Sequence, residues 1–105
     1  MKQIKVRVGL KDEPLQTILT NARKPFTFVG EEFIVTNRIG NDKITDKPVM
    51  EKRQYTVTHY RTGLSGVASY QNEKIDDLIE RAKLFLETKK DKLGNALKNV
   101  ETINK

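Results

Sequence analysis

Apolar and polar residues alternate at period two along QIKVRVGL, residues 3–10, with Ile4, Val6, Val8 and Leu10 on one side and Lys5 and Arg7 on the other. This is the pattern of a half-buried strand with a basic outer face. The rhythm then loosens in LKDEPLQTILTNARKP. Asp12 can cap a short helix there, with Pro14 in its first turn and Leu15, Ile18, Leu19 and Ala22 on one face. The β-branched Thr17, Ile18 and Thr20 leave a strand as the alternative, because they lose rotamer freedom in a helix. Pro25 closes the segment, since the residue before a proline is pushed out of the helical region. Residues 26–37, FTFVGEEFIVTN, read as a hairpin turning at Gly30-Glu31. That turn sets Phe28 opposite Phe33 and Phe26 opposite Val35, on a common core face. Val29 and Ile34 fall on the other face, to be covered by the 15–22 segment or by a partner subunit.

Residues 38–53 form the longest polar interval, and the turn residues Gly40-Asn41-Asp42 and Lys47-Pro48 predict a mobile loop over about 40–48. Alternation resumes at Gln54 in a second hairpin. If Thr62-Gly63 is its two-residue loop, Tyr55, Val57, Leu64, Ala68 and Tyr70 share the core face. Thr56, Thr58, Tyr60, Ser65 and Ser69 then share a wet one. Val67 is the one apolar residue on the polar side, and a one-residue slip would exchange the faces. From Asn72, an N-cap type, apolar positions recur at Ile75, Leu78, Ile79, Ala82, Phe85 and Leu86, the stripe of an amphipathic helix.

These elements predict an α+β fold: an antiparallel sheet of about five strands, two hairpins plus the N-terminal strand, packed on one face by a long C-terminal helix. The 105 residues suit a single domain, with sheet over 3–70 and helix over 73–103. Gly94 costs about 1 kcal/mol inside a helix, so a break or bend is expected there. In the bent form, the distal half would pack on a second copy to make a homodimer.

Charge narrows the function classes. The chain carries a formal +6, and residues 1–25 contribute six Lys+Arg against two Asp+Glu. Cysteine is absent, which removes disulfides and thiolate metal sites. His59 is the single histidine, which removes a multi-histidine metal site. No phosphate loop, dinucleotide fingerprint or zinc-protease motif occurs, and Gly63-Leu64-Ser65-Gly66 lies in a hairpin rather than at a nucleophile elbow. We therefore expect no enzymatic activity and no cofactor. With no apolar run near ~18 residues, no membrane association is expected and a cytoplasmic location is the default.

What remains is a binding surface. Lys5 and Arg7, the aromatic Tyr60 with Arg61, and the pair Lys52 and Arg53 are the expected contacts of a nucleic acid, single strands favoured, by phosphate binding and stacking on the wet face. The order of a curved antiparallel sheet followed by a helix resembles that of the whirly-type single-stranded-DNA-binding proteins, in topology and in no motif. The alternative is a small protein-interaction module, a regulator or inhibitor, docking through its C-terminal helix or a sheet edge.

Overall fold

A computed structural model describes residues 2–8 and 16–105 of the chain. Its strands are β1 (Gln3–Val8), β2 (Gln16–Phe28), β3 (Glu31–Asn41), β4 (Pro48–His59) and β5 (Ser65–Ala68), followed by helix α1 (Ile75–Lys98). The strands form one antiparallel sheet in the order β1-β2-β3-β4-β5, so each pairs with its neighbours in sequence. The expected α+β architecture, a five-stranded sheet with a C-terminal helix packed on it, is the one observed.

Two apolar layers lie on opposite faces of this sheet. Under α1, Phe33, Val35 and Val57 meet Leu78, Ile79, Ala82 and Leu86, with Phe26, Phe28, Tyr55 and Val67 at the margin. On the other face, Ile4, Val6, Ala22 and Ile34 form a second cluster. The second layer exists because β2 is irregular between Ala22 and Lys24. Its first half pairs with β1 and its second half with β3. A bulge bends a strand, and here it carries β1 over the face that α1 leaves uncovered. The amides of β1 then reach across the molecule: Arg7 N–H donates to Gly63 O at 2.8 Å.

The polar face of the second hairpin is therefore not wet. Thr36 and Thr58 are fully buried beneath β1 and Thr56 nearly so. Their hydroxyls satisfy one another in a chain, Thr36 to Thr58 at 3.1 Å and Thr58 to Ser65 at 3.2 Å. Self-satisfied hydroxyls can be buried at small cost.

Both hairpin registers differ from expectation, for reasons of turn geometry. The β2–β3 turn is Val29-Gly30, with φ of +50° and +76°, rather than Gly30-Glu31. Phe26 thus opposes Phe33, and Phe28 opposes Glu31. The shift is two residues, so the faces are preserved. The β4–β5 connection is longer than two residues, and Thr56 opposes Ala68. That one-residue shift brings Val67 to the core beside Val57 and leaves Ala68 and Tyr70 exposed.

Five other expectations are corrected. Residues 16–22 are strand, not helix, while Asp12, Pro14 and Leu15 lie outside the described residues. The interval expected as a loop over 40–48 is shorter. Strand pairing runs to Asn41 and resumes at Pro48, and the Asp42 carboxylate accepts the Ile44 amide at 2.8 Å across the turn. Helix α1 begins after Lys74 rather than at Asn72 and runs unbroken through Gly94. Phe85 is half exposed rather than core.

Val29 is a β-branched residue in the left-handed region, where such side chains are strained, and it is largely exposed. Val29→Asn, which suits a positive φ before glycine, is expected to stabilise the fold by about 1 kcal/mol in urea unfolding. A loss of stability would show that the Val29 side chain contributes packing that outweighs its backbone strain.

The start of α1 is tied to the end of β5 by Arg81. Its guanidinium donates to both Glu73 carboxylate oxygens, at 2.7 and 3.0 Å, and to Ala68 O at 2.6 Å, with Tyr70 stacked against it. The Arg81 hydrogen bonds hold the Glu73 carboxyl below the usual carboxylate range. A depressed pKa adds stability that is present above the unfolded value and lost as pH falls through the folded one. The melting temperature of wild type should exceed that of Glu73→Gln near neutrality, and the gap should close as pH falls below the ordinary carboxylate range and through the depressed folded value. A gap independent of pH would exclude ionisation as its source.

Candidate nucleic-acid interface

The six cations and aromatics expected to bind nucleic acid divide between two places. Lys5, Arg7, Tyr60 and Arg61 gather around the tail that follows α1. Lys5 is exposed, but its backbone is clasped by Asn104, whose side chain accepts the Lys5 N–H at 3.0 Å and donates to Lys5 O at 2.7 Å. The Arg7 guanidinium donates to Thr62 O at 2.8 Å and Glu101 O at 3.0 Å. The Tyr60 hydroxyl donates to Lys105 O at 3.1 Å, and Lys2 sits over its ring. Arg61 donates to Leu97 O at 2.7 Å, in the last turn of α1, and to Val100 O at 2.9 Å just beyond it, placing a cation at the carbonyl end of the helix. Of these four, only the Lys5 ammonium is free of such an engagement. The other three side chains hold the tail against β1 and the Tyr60–Gly63 turn.

Lys52 and Arg53 lie elsewhere, at the irregular middle of the β3–β4 hairpin. The pairing of these strands is interrupted between Asn37 and Ile39. The buried Asn37 spans the irregularity, with its side chain donating to Glu51 O at 2.8 Å and accepting from Arg23 at 2.9 Å. From this irregularity outward the hairpin is an arm. Glu51, Lys52 and Arg53 lie at its base, in the stretch of β4 between Met50 and Tyr55. Beyond them, β3 from Ile39 to Asn41 pairs with β4 from Pro48 to Met50 up to the turn at 42–47. The arm's charges are unevenly presented. Lys43, Lys47, Lys52 and Arg53 are exposed and form no ion pair among the described residues. Two of the three carboxylates turn inward: Asp42 caps the turn amides, and Glu51 lies across Gly40 so closely that a Cβ there would collide with it. Ile44, at the tip, is 94% exposed.

Composition alone identified Lys52 and Arg53. The arm that carries them was hidden in the sequence because its strand residues are mostly polar, and an exposed two-stranded ribbon has little apolar alternation to reveal it. Among the described residues no group of acidic or histidine side chains is placed to hold a metal ion. His59 is buried, with Nδ1 2.8 Å from Thr62 Oγ1 and Nε2 2.9 Å from Glu31 Oε2. No described helix is long and apolar enough to cross a membrane.

Comparison of the chain with protein-family models, with curated proteins and with solved structures finds no match.

Proposed function

We propose that this is a non-enzymatic nucleic-acid-binding protein whose phosphate contacts are made by the β3–β4 arm. The observation that carries the reading is the set of four exposed, unpaired cations on a two-stranded ribbon whose acidic side chains are mostly folded inward. Such cations gain from counterion release on phosphate. A two-stranded ribbon also fits the major groove of a duplex. The covered sheet face offers no platform for unstacked bases, so preference for single strands loses its physical basis and duplex is favoured.

Fluorescence anisotropy with labelled duplex, single-stranded DNA and RNA across a salt series tests this. Dissociation constants weaker than about 100 μM at low salt would remove the nucleic-acid reading. If the arm binds duplex, Lys52→Ala with Arg53→Ala should flatten the salt slope by roughly 1.8, at about 0.9 per phosphate. Lys5→Ala should leave it unchanged. A slope sensitive to Lys5 and indifferent to the arm would move the site to β1.

A second reading, a protein-interaction module docking through α1, is favoured by Leu84 and Phe85, which are 72% and 49% exposed on that helix. Exposed neighbouring large apolar side chains often mark contact surfaces.

A further inference from the structure

Helix α1 lies close to the sheet at Leu78 and Ala82, both fully buried, but its distal half leaves a groove of about 330 Å³ above β4 and β5. The floor includes Phe33, Val57 and Val67, and the helix wall includes Phe85, Leu93 and Ala96. The two polar side chains in the floor are already satisfied: Ser65 by Thr58 at 3.2 Å, and both ring nitrogens of His59. The interior therefore presents carbon. Its polar character is confined to Lys89 and Lys92, both exposed and neither ion-paired among the described residues. They stand three positions apart on one helix face, and no carboxylate lies three or four residues from either. Like charges at that spacing repel.

We propose that this groove binds a small anionic amphiphile, an alkyl carboxylate, with the chain in the apolar interior and the headgroup between Lys89 and Lys92. The volume is at the small end of ligand sites. It is too small to seat a helix of about 10 Å diameter. A second copy is disfavoured by charge, because a two-fold contact would bring each lysine pair against its own equivalent. An anion relieves the repulsion that either lysine suffers from the other.

Calorimetric titration of the intact protein with the carboxylates from hexanoate to dodecanoate, and with 1-decanol, tests the assignment. Affinity should rise about four-fold per added methylene until the groove is filled. Decanoate should bind at least about ten-fold more tightly than 1-decanol. Lys89→Gln with Lys92→Gln should abolish that preference while leaving 1-decanol binding intact. Ala96→Trp, at an exposed helix position on the groove wall, should block both ligands with the melting temperature retained. Absence of saturable binding to wild type would overturn the proposal, as would equal affinity for decanoate and 1-decanol. A dimer in solution that Ala96→Trp dissociates, and that decanoate does not, would instead make the groove a contact between copies.

Discussion

Leu78→Ala should cost about 3–5 kcal/mol in urea unfolding, the upper part of the range for deleting a buried leucine. Leu78 is fully buried where α1 meets the central strands, among Val35, Val57 and Ile79. Its cluster neighbours are apolar, so a truncated side chain leaves an apolar cavity, the kind that stays dry. Leu84→Ala, at an exposed position of the same helix, provides the control and should change stability by less than about 0.5 kcal/mol. If Leu78→Ala cost less than about 1 kcal/mol, α1 would not be docked through this stripe, and the groove under its distal half would lose its helix wall.

Gly63→Ala should cost about 3 kcal/mol in urea unfolding. Its φ is +70°, and a Cβ there would collide with Ile103 Cδ1 and approach Lys5 O to 2.9 Å. Gly30 separates the two causes. It has a similar φ of +76° but no atom within 4 Å of an added Cβ, so Gly30→Ala should cost only the conformational part, about 1 kcal/mol. The difference between the two midpoints, measured in the same urea series, reports how tightly β1 is held against the Tyr60–Gly63 turn. Equal losses would mean that β1 yields without cost.

Gly63 also shows what was legible in the sequence. That a glycine with positive φ must sit in this turn followed from its place between two alternating runs, and so did the existence of both hairpins and of α1. The pairing register did not follow, because it depends on how many residues the turn takes and on which of them adopt positive φ. Val29 is the clearest case, since no propensity argument places a β-branched residue at +50°. The threonine face was misread for another reason. Hydroxyl-bearing strands look hydrated, but Thr36 and Thr58 bond to each other, with Thr58 also bonded to the exposed Ser65, and both threonines accept burial under β1. Arg7 and Arg61 looked like phosphate ligands because their partners are backbone carbonyls of the tail, and carbonyl partners leave no residue-type signature. The unbroken passage of α1 through Gly94 was likewise illegible. One exposed glycine lowers helix stability without forbidding the helix, and packing of Leu93 and Leu97 on either side of it decides the outcome.

The clasp made by Asn104 has a kinetic consequence. Every strand pairing in the sheet joins neighbours in the chain, so the meander assembles from short loops. Lys5 and Asn104 are 99 positions apart, and Arg7 and Glu101 are 94 apart. Loop-closure entropy makes such contacts unfavourable until the intervening chain is already folded, which places the clasp after the rate-limiting step. Interactions formed that late leave the refolding rate unchanged and act on the escape rate from the native state. Asn104→Ala is therefore expected to speed unfolding in stopped-flow urea jumps while leaving the refolding rate unchanged, and an equal slowing of refolding would place the clasp in the transition state.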